Sequence, residues 1–99
     1  MAEYKLTKKA VEDLSKIWDY TYRAWSENQA DKYYCQLLEV CQELVENHNL
    51  GSNYNDIGNE VLGCKSREHI IFYRILNNKV IEITRFLHIR IDLKNRIQE

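Results

Sequence analysis

Apolar residues recur at spacings of three and four through the first half of the chain, which is the pattern of amphipathic helices. The first stripe comprises Val11, Leu14, Ile17, Trp18, Tyr22 and Trp25, and the second comprises Ala30, Tyr33, Tyr34, Leu37, Leu38, Cys41, Leu44 and Val45. Thr7 is a favourable N-cap for the first helix, and Ser26 with Gln29 forms a capping box for the second. Because only about two residues separate the helices, they are predicted to form an antiparallel hairpin.

The second half of the chain changes to short apolar runs that favour β-strands. Strands are predicted at 61–65, 69–76 and 79–87, and Asn77 with Asn78 supplies the tight turn between the last two. In the last strand, alternation places Ile81, Ile83, Arg85 and Leu87 on one face. A further strand is predicted at 3–6, a polar loop at 50–60, and a short C-terminal helix at 92–97.

In chain order these elements are β-α-α-β-β-β. They predict an α+β fold, with the helical hairpin packed on one face of a mainly antiparallel sheet of about four strands. The run at 69–76 is largely apolar on both faces, so it is predicted to be a central strand. A chain of 99 residues is expected to form a single domain, 1–99.

Composition excludes several classes of function. The formal net charge is −1, so no global charge favours nucleic acid, a membrane surface or an acidic substrate. No apolar run is long enough to cross a membrane and the N-terminus lacks a signal-peptide pattern, so we expect a cytoplasmic protein. Three cysteines, an odd number, argue against a disulfide framework, and none has zinc-ligand spacing. No glycine-rich phosphate loop is present either, so no metal and no cofactor are expected.

Candidate chemistry is concentrated in the strand region as a basic and aromatic cluster. Its members are Lys65, Arg67, His69, Tyr73, Arg85, His88 and Arg90. Arginine and histidine can stabilise a phosphate and transfer a proton, and tyrosine can stack on a base, as metal-free RNA cleavage requires. The alternative is structural: the charges lie on a solvated or partner-facing edge of the sheet, Tyr73 belongs to the core, and His69 is a hydrogen-bonded strand residue.

The predicted helices are rich in aromatic residues. Trp18, Trp25 and Tyr33 follow the apolar stripes and are predicted to lie in the core. Tyr20 falls off its stripe, and an exposed tyrosine there would suit a protein interface, where aromatic anchors carry much of the binding energy.

The order of the elements and three local patterns resemble the ParE branch of the RelE/ParE toxin superfamily over nearly the whole chain. The first pattern is the aromatic run ahead of the second helix, with Trp25, Gln29 and Ala30. The other two are the strand pattern of His69, Ile71 and Tyr73, and the ending that contains Arg85, Leu87, His88, Arg90 and Asp92.

The resemblance implies a bacterial toxin from a two-gene toxin–antitoxin module that inhibits DNA gyrase. It implies a cognate antitoxin that neutralises the toxin, forms a heterotetramer with it and alone contacts operator DNA. Alternatives are a ribosome-dependent mRNA endoribonuclease of the RelE type, or a non-toxic interaction domain with the same fold. Ile70 stands where RNase relatives carry a phosphate-binding arginine, and Ile89 follows His88 where some carry a tyrosine. Both differences favour gyrase as the target.

Binding gyrase requires a surface patch rather than matched acid and base groups, so no catalytic residue is assigned for that function. The target is expected to contact the end of the last strand and the tail, at Arg85, His88, Arg90, Asp92, Lys94 and Arg96. The antitoxin is expected to cover the helical hairpin near Tyr20 and Tyr34, and to extend the sheet by strand addition. Under the RNase alternative the catalytic set is Lys65, Arg67, Tyr73, Arg85 and His88.

Overall fold

The computed structural model describes residues 3–54, 60–77 and 79–89. Its elements in chain order are β1 Glu3–Leu6, α1 Lys8–Ala24, α2 Glu27–Glu46, a 3₁₀ turn at His48–Leu50, β2 Ser52–Asn53, β3 Leu62–Ser66, β4 His69–Asn77 and β5 Val80–His88. The strands form one sheet in the order β1-β5-β4-β3-β2, with β1 parallel to β5 and the other neighbours antiparallel. The predicted α+β fold is confirmed. The two-residue strand β2, inside the predicted loop, brings the described sheet to five strands.

Side-chain caps set the start of both helices, as predicted. The Thr7 hydroxyl oxygen accepts a hydrogen bond from the Ala10 N–H at 3.1 Å, and the Ser26 hydroxyl oxygen accepts one from the Gln29 N–H at 3.2 Å. Thr7 Oγ1 also donates to the Thr84 carbonyl oxygen at 2.8 Å, which ties the start of α1 to β5. The two helices are joined by two residues and pack against one another.

The main core lies between the helices and the sheet. Its fully buried members include Leu37 and Leu44 of α2 and Ile71, Ile81 and Ile83 of the sheet. Burying such side chains contributes roughly 1.5–3 kcal/mol each, which makes this layer the main source of stability. None of the described helices is long and apolar enough to span a membrane.

The prediction that Trp25 belongs to the core is wrong, because its side chain is 77% exposed. Trp25 follows the last turn of α1 with φ −130° and ψ −84°, so helical spacing no longer sets the direction of its side chain. Trp18 is only half-buried, and its indole N–H donates to Asp31 Oδ1 at 2.9 Å. Tyr33 is half-buried and packs against the main core, and Tyr20 is 71% exposed.

A β-bulge changes the faces of β5. The register of β5 against β4 shifts at Thr84, which is left as the extra residue. Beyond the bulge, Phe86 packs in the main core and Leu87 packs on the opposite face of the sheet. The prediction that Leu87 shares a face with Ile81 and Ile83 is therefore wrong, because strict alternation cannot anticipate an inserted residue.

The opposite face of the sheet carries a smaller cluster formed by Ile70, Phe72 and Leu87, against which Tyr54 and Val61 pack. The rings of Tyr54 and Phe72 meet edge to face, with centroids 5.2 Å apart. The first five residues of β4 are all buried, as expected of a central strand. The predicted turn residue Asn78 and the predicted helix at 92–97 lie outside the described residues.

Candidate functional site

A cleft of about 750 Å³ opens between the helical hairpin, the β3–β4 turn and the end of β5. We call it the helix–sheet cleft. Each helix presents one face to it, since the helical lining residues recur at spacings of three and four. The lining residues are Asp13, Lys16, Ile17, Tyr20, Thr21, Trp25, Gln29, Lys32, Tyr33, Gln36, Arg67, Glu68, His69, Arg85, Phe86 and His88.

An ion pair joins α1 to β5 inside the cleft. Arg85 Nε lies 2.7 Å from Asp13 Oδ2 and Arg85 Nη2 lies 3.1 Å from Asp13 Oδ1, so the guanidinium donates two hydrogen bonds. Asp13 Oδ2 also accepts the backbone N–H of Phe86 at 3.1 Å. These donors compensate a carboxylate that belongs to a residue only 8% exposed. The pair therefore fixes β5 immediately after its bulge.

Two histidines face each other across β4 and β5. His69 and His88 are partners in register, and their rings meet edge to face with centroids 5.2 Å apart. His69 Nδ1 lies 2.6 Å from the Tyr33 hydroxyl oxygen, and His88 Nε2 lies 3.6 Å from Glu68 Oε2. Burial raises the pKa of Tyr33, and a hydrogen bond from the Glu68 backbone partly offsets that rise. We call the set of Asp13, Tyr33, His69 and Arg85 the floor of the cleft; all four are buried or half-buried.

Seven lining residues are exposed, and we call five of them, Lys16, Tyr20, Trp25, Lys32 and Arg67, the rim of the cleft; the other two are Gln29 and Glu68. Its three cations come from α1, α2 and the β3–β4 turn, and none of them forms an ion pair within the described part of the chain. The two lining carboxylates already lie beside an arginine and a histidine. The cleft therefore has a local excess of positive charge, although the chain carries a net charge of −1.

Arg67 has a left-handed backbone conformation, with φ 57°. It is the first residue of the two-residue turn between β3 and β4, whose flanking residues Ser66 and His69 are paired. Glycine adopts this conformation without strain, whereas another residue costs about 1 kcal/mol. The turn thus holds a strained residue whose exposed cationic side chain lines the cleft.

The cleft brings together residues for which the sequence predicted different roles. Tyr20, predicted at the antitoxin contact, lines the same cleft as Arg85 and His88, predicted at the target contact. Tyr34 instead packs against the main core and does not line the cleft. The other four predicted target-contact residues, Arg90, Asp92, Lys94 and Arg96, lie outside the described residues.

The predicted RNase set is dispersed. Arg67, Arg85 and His88 line the cleft, but Lys65 is exposed on β3 away from it. Tyr73 is fully buried, as the structural alternative proposed. Its hydroxyl donates to the His48 carbonyl oxygen at 2.8 Å and accepts the Gly51 N–H at 3.0 Å, so it anchors the segment after α2.

The sequence analysis did not single out the charged lining residues Asp13, Lys16, Lys32 and Glu68, and it placed Tyr33 in the core rather than in the cleft. Asp13 is separated from Arg85 by 72 positions, and a pattern of local spacing does not detect such a partner. A signal did exist for Lys16, because it lies four positions before Tyr20 and therefore on the same helical face.

Among the described residues, no group of three or more His, Cys, Asp or Glu side chains is placed to hold a metal ion. Cys35, Cys41 and Cys64 are free thiols. Burial raises the pKa of the Cys41 thiol to about 12, which is the behaviour of a core residue rather than of a nucleophile.

Comparison with known proteins gives a consistent family. Residues 4–93 match the family model described as ParE toxin of type II toxin-antitoxin system, parDE. Toxin ParE1 of Mycobacterium tuberculosis is 28% identical over 96 residues, covering 97% of this chain and 98% of that protein. Toxin ParE1 of Caulobacter vibrioides is 31% identical over 88 residues, covering 89% and 90%.

A solved structure titled "Chromosomal ParDE TA system from P. aeruginosa" superposes with a TM-score of 0.78. The superposition covers 91% of this chain and 98% of the chain in that structure, at 23% sequence identity. This likeness shows that the two chains share a fold. The chain belongs to the ParE toxin family of type II toxin–antitoxin systems.

Proposed function

We propose that this toxin acts by binding DNA gyrase through the helix–sheet cleft and the end of β5, and that its antitoxin neutralises it by occupying the same cleft. A toxin of this family implies an antitoxin partner. The observation that carries the proposal is the shared location of Tyr20, Arg85 and His88. If one surface serves both partners, antitoxin and target exclude each other sterically.

The surface has the properties of a protein-binding site. Tyr20 and Trp25 are more than two-thirds exposed, and large exposed aromatic side chains are typical anchors of interfaces. The unpaired rim cations favour a partner segment that carries carboxylates. Tyr34 is half-buried, so only part of its side chain is available for the proposed contact with the antitoxin.

Strand addition is a second element of the proposed antitoxin contact. Within the described residues, β2 pairs only with the first two residues of β3, so the outer edge of 64–66 is open. An antitoxin strand would pair there, at the end of β3 that leads to Arg67 and the cleft. We further propose a toxin–antitoxin heterotetramer in the cytoplasm, in which only the antitoxin contacts operator DNA.

Protein binding is favoured over RNA cleavage for a physical reason. Cleavage would require groups of the predicted set to converge on one phosphate, yet Tyr73 is buried and Lys65 lies away from the cleft. Ile70, at the position where RNase relatives carry arginine, is buried in the cluster on the opposite face of the sheet.

The test is a supercoiling assay with purified gyrase and the full-length toxin. We expect inhibition that His88→Ala and Arg67→Ala weaken and that antitoxin, added before gyrase, abolishes. Arg23→Ala is the matched control, because Arg23 is exposed on α1 and does not line the cleft. Cleavage of mRNA in a reconstituted ribosome assay, with normal gyrase activity, would overturn the proposal.

A further inference from the structure

The rim cations point to a ligand that the fold itself does not supply. Lys16, Lys32 and Arg67 reach one cleft from three different elements, and no described carboxylate pairs with them. Three cations that line one cleft raise the local concentration of anions there. The volume of about 750 Å³ is in the range of small-ligand sites, which is roughly 300–1,000 Å³.

Arg67 provides an independent reason to expect an anion. Its left-handed φ of 57° would be free of strain for glycine, and its side chain is exposed and forms no ion pair within the described residues. A hairpin turn alone gives no reason for arginine at this position, since the turn chemistry favours glycine. A guanidinium that binds an oxyanion with two parallel hydrogen bonds does give such a reason.

The aromatic members of the rim indicate what the anion is attached to. Trp25 and Tyr20 line the same cleft and are 77% and 71% exposed, so most of each side chain is accessible to a ligand. Aromatic faces beside cations form the usual arrangement for stacking a nucleobase while the cations hold its phosphates. Cations and accessible aromatic side chains together suit a nucleotide better than either a simple anion or an apolar ligand.

We infer that the helix–sheet cleft binds a nucleoside phosphate. Its base stacks on Trp25 or Tyr20, and its phosphates bind Lys32 and Arg67, with Lys16 completing the cationic rim. This inference places a small ligand in the cleft that the proposed function assigns to protein partners, but it is measured on the toxin alone. A toxin that inhibits gyrase without binding nucleotide, or the reverse, separates the two.

The experiment is a titration of the full-length toxin with ADP, followed by tryptophan fluorescence and by calorimetry. The chain has two tryptophans, and Trp18 does not line the cleft. In the Trp18→Phe variant the remaining fluorescence comes from Trp25, so we expect ADP to quench it saturably. In the Trp25→Phe variant we expect no quenching, and calorimetry should still report weakened binding.

Charge substitutions test the phosphate end. Lys32→Gln and Arg67→Gln should each raise the Kd for ADP about tenfold, the value of one charge-assisted hydrogen bond. Arg23→Gln, on an exposed arginine outside the cleft, should leave the Kd unchanged. Pyrophosphate lacks the nucleoside and adenosine lacks the phosphates, so each should bind more weakly than ADP.

Three results would overturn the inference. One is the absence of saturable ADP binding. The second is equal affinity for ADP and pyrophosphate, which would reduce the cleft to a simple anion site. The third is tight binding of a short single-stranded DNA that ADP does not displace, which would assign the rim to nucleic acid instead.

Discussion

In the floor of the helix–sheet cleft, Asp13 and His69 have hydrogen-bond partners within the fold, at 2.7 Å and 2.6 Å. In the rim, Lys16 and Lys32 are exposed and form no ion pair with any described residue. The two sets of polar side chains line one cleft, yet they differ in burial and in whether other residues of the chain supply their hydrogen-bond or ion-pair partners. This difference separates residues that maintain the fold from residues that are available to a partner.

The physical basis is the cost of desolvation. A buried carboxylate is tolerated only when hydrogen-bond donors of the protein replace the water that it loses on folding. The stability of the folded chain therefore depends on the hydrogen bonds of the floor residues. An exposed lysine keeps its water and contributes little to stability in either state. We therefore expect substitutions in the floor to reduce the stability of the fold, and substitutions in the rim to reduce the binding of partners.

The largest expected effect is on the floor. Asp13→Ala removes the acceptor of two Arg85 hydrogen bonds and of the Phe86 N–H, and takes the carboxylate away from a half-buried guanidinium. We expect the free energy of unfolding to fall by about 3 kcal/mol, measured by urea denaturation. The matched control is Asp19→Ala, whose partner Arg23 lies at 3.9 Å with both side chains largely exposed, and which should change stability by less than about 0.5 kcal/mol. Equal effects of the two substitutions would show that burial of the Asp13 pair adds nothing to its contribution to stability.

Alkaline pH probes the main core between the helices and the sheet. The folded pKa of Cys41, about 12, lies above its ordinary value of 9.0, so the unfolded chain loses the thiol proton first. Stability is therefore fully present below about pH 9 and declines as pH rises towards 12, by at most about 1.4 kcal/mol per pH unit for one group. Burial also raises the pKa values of Tyr33 and Tyr73, which adds to the same decline.

Cysteine substitutions isolate the contribution of Cys41 to this decline. Cys41→Ala should make the fall in stability between pH 9 and 11 shallower by about 2 kcal/mol in total, measured as urea midpoints across that range. Cys35→Ala, on an exposed position of the same helix, should retain the full slope. An unchanged slope in Cys41→Ala would show that the other groups whose pKa burial raises, the tyrosines and Cys64, cause the alkaline loss.

The sequence predicts the layers of this fold better than it predicts the cleft. Helical spacing and the caps at Thr7 and Ser26 are local, and both are confirmed. Trp25 was misplaced because it lies just beyond the end of α1, and Leu87 because a bulge precedes it. Both errors arise where the regular repeat of a helix or strand ends or shifts by one residue, and composition and spacing do not show where that happens.

The cleft depends on contacts between distant parts of the chain. Arg85 and His88 were predicted as exposed target contacts, whereas the structure also gives them partners in Asp13 and Glu68. These pairs join α1 and the β3–β4 turn to the end of β5, and no local sequence pattern predicts contacts between such distant segments. Family resemblance supplied the functional class, and geometry supplied the division between floor and rim.

A smaller effect, of opposite sign for stability and for binding, is expected at Arg67. Arg67→Gly relieves the left-handed strain at φ 57° and should raise the free energy of unfolding by about 1 kcal/mol. The same substitution removes a rim cation, so we expect weaker binding of the antitoxin. Urea denaturation and surface plasmon resonance measure the two changes. A variant that is destabilised, or that keeps full antitoxin affinity, would contradict the assignment of Arg67 to the rim.

The smallest change in stability is expected at Tyr20, and this substitution tests whether rim residues contribute to the stability of the fold. Tyr20→Ala should alter the free energy of unfolding by less than about 0.5 kcal/mol, because the side chain is 71% exposed, while antitoxin affinity falls about tenfold. Tyr34→Ala is the contrasting variant: Tyr34 packs against the main core, so we expect a loss of about 2 kcal/mol in stability. If Tyr34→Ala weakens antitoxin binding more than Tyr20→Ala does, at a temperature where both variants are folded, the antitoxin contact lies over the helical hairpin rather than at the cleft. Competition between antitoxin and target would then require a different surface.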